Sequence, residues 1–141
     1  MLHLFLPYDD CQKSIQSLHV LDLESALTHG FQIHNALKQT GGFSNFPDVI
    51  LWQGYDDFLV AYYNKMLQHA KALNQREVNL KPLPQTVPLS QLTKPWWWGP
   101  SYPLHRSDRI RLLRKRPAFY ERYKWEETAE DQTEWPKKEE T

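Results

Sequence analysis

Apolar residues open the chain as a continuous run, Leu2-His3-Leu4-Phe5-Leu6, closed by Pro7. A run that short reads as a buried strand or an extended segment. Asp9 and Asp10 follow and can cap a helix, which the spacing predicts from about Gln12 to Lys38, stopping at Gly41-Gly42. Its apolar positions (Ile15, Leu18, Leu21, Leu27, Phe31, Ile33, Leu37) spread over a broad stripe, as in a helix packed on more than one side. Gly30 inside it points to close packing or a bend. Pro47 suits the first turn of a second helical region, where Asp48 favours the dipole. Val49, Trp52, Tyr55, Leu59, Tyr62, Tyr63 and Met66 recur at three- and four-residue steps towards Leu73. Gly54 divides that region, and Asp56 or Asp57 opens its longer half.

From Asn74 to Pro103 the periodicity dissolves under six prolines, predicting a long extended connection. Leu80, Leu83, Val87, Leu89 and Leu92 place it against the core. Trp96-Trp97-Trp98-Gly99 ends it. These indoles either staple the connection to the helices or offer a stacking surface for bases or sugars. A third helix is predicted from about Ser107 to Arg116, stopped by Pro117, with Ile110, Leu113 and Leu112 inward. The expected fold is therefore mainly α: one compact domain over 1–125, with three main helices and a short extended N-terminus. An acidic tail, 126–141, is expected to be partly disordered.

Charge changes the picture. The formal net charge is zero, yet residues 101–124 carry eight Lys/Arg against Asp108 and Glu121, while 125–141 carry seven acids against Lys137 and Lys138. Such segregation suits a polyanion site beside an acidic tail. His105, Arg106, Arg109, Arg111, Arg114, Lys115, Arg116 and Tyr120, with Trp97 and Trp98, are the candidate contacts to double-stranded DNA. The competing reading is a solvated helix face held against the tail of the same chain. Asp22, Ser25, His29 and Gln32 make a polar line along the first helix, marking either a cleft or a hydrogen-bonded core.

Other chemistry is thinly supplied. The single cysteine, Cys11, sits beside Asp9 and Asp10, which raise a thiol pKa, and it fits a reducing, cytoplasmic setting. No stretch reaches the ~20 apolar residues of a membrane span. The start lacks the basic region and cleavage site of a secretory signal. No phosphate-cradling glycine loop, nucleophile elbow or zinc spacing occurs, so neither a cofactor nor a metal is expected.

Phe5-Leu6-Pro7-Tyr8, Trp52-Gln53-Gly54-Tyr55, Pro95-Trp96-Trp97, His105-Arg106-Ser107, Leu112-Leu113-Arg114-Lys115-Arg116-Pro117 and Trp135-Pro136 occur in that order. The set resembles the pyrimidine-dimer DNA glycosylase-like proteins of bacteria and phage, relatives of the phage endonuclease V enzymes. The resemblance implies an all-helical domain that bends DNA, flips a nucleotide and cuts a glycosidic bond. It implies an α-amino group that attacks the sugar C1′ to form an imine, here that of Met1, and a glutamate on the first helix that manages protons. Such an amine, with a pKa near 8, is partly uncharged at neutral pH. In this chain His29 stands where the glutamate is expected, with Glu24 the nearest carboxylate, and Phe46 stands where a histidine is expected before Pro47. Val20, Asp22, Ser25 and Leu27 stand where basic or amide residues are usual. Two functions therefore stay open. One is a glycosylase/AP lyase in a bacterial or phage-infected cell. The other is a catalytically degenerate relative that binds DNA, or a protein partner through its aromatic surface or acidic tail.

Overall fold

A computed structural model describes residues 2–38, 46–73 and 80–137. Met1, the predicted glycine stop of the first helix and the start of the connection lie outside the described residues. The described chain is helical, with no strand among these residues: α1 Cys11–Ser17, α2 Val20–Leu37, α3 Pro47–Ile50, α4 Asp56–Leu73, α5 Leu104–Lys115 and α6 Pro117–Tyr120. Single 3-10 turns occur at Leu89–Gln91 and Glu121–Tyr123. The contacts group into two compact units, Met1–Leu4 with Val20–Pro95 and Phe5–His19 with Trp96–Thr141.

The first predicted helix is two. Asp10 caps α1, its side chain accepting the Lys13 N–H at 2.8 Å. The Ser17 hydroxyl turns back to donate to the Ser14 carbonyl at 2.8 Å, a local bond that competes with helix continuation. Leu18 is extended, and the His19 N–H donates to the Tyr120 hydroxyl at 3.0 Å instead of to a helical carbonyl. The interruption coincides with the division of the chain into its two units.

In the first unit α2 packs on α4. The requirement for glycine at position 30 is steric. A Cβ there would stand 3.3 Å from the Tyr63 ring and 3.7 Å from the Leu4 side chain, so the small residue lets α4 and the N-terminal segment close on α2. One turn further along α2, His34 Nδ1 meets Asp56 Oδ1 at 2.7 Å. The two pairings run in opposite senses along the helices, so α2 and α4 are antiparallel. Leu23, Leu27 and Ile33 of α2 and Leu59, Tyr62, Met66 and Leu67 of α4 are fully buried. Gly54 takes φ +84° and separates α3 from α4, as its position in the sequence predicts. The Asn64 amide of α4 exchanges both hydrogen bonds with the Leu83 backbone, at 2.8 Å each, tying the proline-rich connection to the helix.

In the second unit α5 begins at Leu104, three residues before the predicted start, because the Pro103 carbonyl already accepts the Ser107 N–H. It ends before Pro117 as expected. Ile110, Leu112 and Leu113 face inward with Trp97, Leu104 and Tyr120. Phe5 turns the N-terminal segment with φ +58°, a left-handed conformation that costs a non-glycine residue about 1 kcal/mol. Its ring is buried, with the Lys115 ammonium 5.2 Å from its centre. After Phe5 the segment is held by α5. Leu6 N–H donates to Asp108 Oδ2 at 2.8 Å, His105 Nδ1 meets the Leu6 carbonyl at 2.7 Å, and Arg109 donates to the Pro7 carbonyl at 2.8 Å. Positions 105, 108 and 109 share one helix face, which is why three consecutive backbone groups find them.

Candidate active site and the basic helix

The head of the chain carries a cluster of polar contacts within the first unit. Leu2 N–H donates to Asp48 Oδ2 at 2.7 Å. Asp48 is only 3% exposed, on α3, where Pro47 starts the turn. His29, half-buried on α2, brings Nδ1 to 3.2 Å from the His3 nitrogen and 3.1 Å from the His3 carbonyl oxygen. One ring nitrogen cannot donate and accept at once. Unprotonated, Nδ1 accepts from the His3 N–H; protonated, it donates to the His3 carbonyl. The ring is thus held in both tautomers, and its proton content can change without loss of orientation.

Of the polar line on α2, Asp22 is fully buried and Ser25 is half-buried. Glu24 is half-buried, and five residues of helix set it ~140° round α2 from His29. Asp48 is the residue that sequence reasoning passed over. Read locally it is a helix-start acid, and its bond to Leu2 spans 46 residues that no periodicity connects.

The second unit uses the predicted DNA contacts differently. Trp97 and Tyr120 are fully buried and Trp98 is 8% exposed, so none offers a ring face to a base in this conformation. Trp98 Nε1 donates to the Asp9 carbonyl at 2.9 Å, and Tyr120 stacks on Trp125 at 5.8 Å. The indoles act as staples. His105 is also internal. Its Nδ1 serves the Leu6 carbonyl and its Nε2 accepts the Gly99 N–H at 3.1 Å, which fixes a neutral ring. Burial holds its pKa below the ordinary 6.5.

The guanidinium groups of α5 are engaged by the acidic segment. Arg109 makes a two-pronged pair with Glu127, 2.6 and 3.1 Å, whose bond draws the Glu127 carboxyl below its usual range. Arg106 donates to the Gln132 carbonyl and Arg114 to the Ala129 and Asp131 carbonyls. Arg111 bonds Asp108 at 2.8 Å and lies 5.4 Å over the Trp135 ring. Ser107 and the Glu134 backbone exchange two bonds, and Pro136 is buried. Residues 127–136, in a tail expected to be partly disordered, are laid along α5. Arg106, Arg114 and Lys115 remain exposed at their outer edges, with Arg116 half-buried. An open cavity of about 530 Å³ lies in this unit, lined by Tyr102, Pro103, His105, Arg106, Arg109 and Glu134 among others.

Among the described residues no three His, Cys, Asp or Glu side chains converge as a metal site needs, and no helix is long and apolar enough to cross a membrane. The family model described as pyrimidine dimer DNA glycosylase matches residues 2–82. The chain belongs to this family. Comparison with curated proteins and with solved structures gives no match. The pyrimidine dimer DNA glycosylase match contains Leu2, His3, His29 and Asp48, and it stops before α5 and the acidic segment.

Proposed function

We propose that the chain is a DNA glycosylase with AP-lyase chemistry, in which the amine at the head of Met1 attacks C1′ of a damaged nucleotide and His29 moves the protons. The observation that carries this reading is the His29 ring, held by its Nδ1 at the His3 backbone, two residues from that amine. With Nδ1 donating to the carbonyl, Nε2 is a base able to take the proton the amine sheds. The imidazolium so formed keeps its Nδ1–H on the His3 carbonyl, and its Nε2–H is an acid able to protonate the departing base, which restores the starting ring. A general acid-base group needs this ability to cycle between forms without moving. Glu24 is not assigned that role, because it projects from another side of α2.

For the duplex itself, phosphate contacts are proposed at the exposed edges of Arg106, Arg114, Lys115 and Arg116 rather than at the buried Trp97, Trp98, His105 and Tyr120. The second reading, a binding-only relative without the chemistry, is supported by His29 and Phe46 standing where the family's glutamate and histidine are expected.

Turnover on abasic and ultraviolet-damaged duplexes, with borohydride present to reduce any imine, separates the two. A proton-transfer group contributes ~10²–10⁴-fold, so His29→Ala should lose that much rate with little change in DNA affinity. Turnover surviving in His29→Ala removes the histidine from the mechanism, and no turnover by the wild-type chain on any substrate leaves the binding-only relative.

A further inference from the structure

We infer that Asp48 is a positioning residue for the amine of residue 1, holding the adjoining peptide and opposing the positive charge that develops on the nitrogen. The inference rests on the amine chemistry proposed above and adds a group to it.

The carboxylate is buried, 3% exposed, and its Oδ2 receives the Leu2 N–H at 2.7 Å. Covalent geometry keeps the nitrogen of any residue preceding Leu2 within ~4 Å of the Leu2 nitrogen. Asp48 Oδ2 therefore lies within about 7 Å of that amine by bond lengths alone. An anion so close favours the charged form of an amine and raises its pKa. When the amine's lone pair forms the bond to C1′, the electrons of the C1′–base bond leave with the base and the nitrogen becomes cationic until a proton is lost. A fixed carboxylate beside that nitrogen stabilises the cation more than the neutral amine before it, which is the form of assistance that raises a rate. The hydrogen bond to Leu2 fixes the peptide from which the amine springs. The other titratable groups of the region include His3 itself, His29 of α2, on the His3 backbone, and Tyr63 of α4, against Gly30 beside Leu4. His29 is the proton carrier. Burial holds the Tyr63 phenol above its usual pKa, so it stays neutral.

The test begins with the amine itself. Its pKa is read from the pH dependence of its reaction with a small acylating reagent, followed by peptide mass, in the full chain with a free Met1 amine. The wild-type value should exceed that of the free peptide Met-Leu-His by ~1 unit, and Asp48→Asn, which keeps an acceptor for the Leu2 N–H, should return it to the peptide value. Borohydride trapping on abasic duplex should then fall ~10²-fold in Asp48→Asn at a pH where both amines are deprotonated. Asp48→Glu, which keeps the charge, should recover part of both effects, and melting curves confirm that each variant is folded. A wild-type amine with the free-peptide pKa overturns the inference, as does a folded Asp48→Asn whose amine pKa and trapping match the wild type. A shifted amine pKa without any wild-type adduct leaves the positioning intact and overturns the glycosylase reading instead.

Discussion

The two units differ in how much of their charge is paired within the unit. In the unit built from Met1–Leu4 and Val20–Pro95, a buried carboxylate and a half-buried imidazole spend their hydrogen bonds on the backbone of residues 2 and 3. In the unit built from Phe5–His19 and Trp96–Thr141, Asp108 and His105 hold the Leu6 backbone in the same way. A larger set of charges there also closes on itself, Arg109 on Glu127 and Arg111 on Asp108, beside Ser107 on the Glu134 backbone. The first arrangement brings titratable groups to the backbone next to the amine of the proposed chemistry. The second stabilises a helix and its strap. Density of charge in a sequence therefore marks where charge is needed, but folding can consume it, whereas two isolated residues can matter more through what they adjoin.

The contrast can be broken most forcefully by emptying the second unit's core. Trp97→Ala should destabilise by about 3–5 kcal/mol through the cavity left by a fully buried indole, read by denaturant unfolding. A loss below ~1 kcal/mol, within the range of surface substitutions, would mean that the indole is not the staple its burial indicates. Next comes the strap. Arg109→Ala strands a carboxylate whose side chain is 10% exposed and removes the donor to the Pro7 carbonyl, for a loss of about 1–3 kcal/mol. Glu127→Gln tests the same pair from the other side. If the strap competes with phosphate, that variant should bind duplex more tightly at low salt; unchanged affinity would reject competition.

Acidification should act on the second unit in two windows. His105 is neutral in the fold with its pKa depressed, so its contribution is complete above 6.5 and is lost as pH falls from there through its folded value. Glu127 is likewise depressed, and its contribution is lost only below about 4.5. A melting temperature that is flat from pH 7 to 5 would contradict the neutral His105. The smallest effect has the opposite sign. The Tyr63 hydroxyl is buried with no hydrogen-bond partner among the described residues, so Tyr63→Phe should be neutral or stabilise by up to about 1 kcal/mol.

Much of the architecture was legible in the sequence, because capping and breaking residues act locally. Asp10, Pro47, Gly54 and Pro117 each bound an element where the pattern predicts. The interruption at Leu18-His19 was not legible, since it depends on Tyr120, a hundred residues away. The residues of the proposed site divide in the same way. His29 was visible through the family pattern of α2. Asp48 was hidden because only the fold brings α3 to Leu2. The basic run was visible, but the acidic segment that lies along it and the burial of Trp97, Trp98 and Tyr120 beside it depend on the fold.

The most direct test of the proposed chemistry is to reduce the complex with abasic duplex and map the adduct by peptide mass. The added sugar should sit on the α-amine of Met1, and extending the chain by residues ahead of Met1 should abolish that adduct while the melting temperature is unchanged. An adduct on a lysine side chain, or one that survives the extension, would contradict the assignment of that amine as the nucleophile.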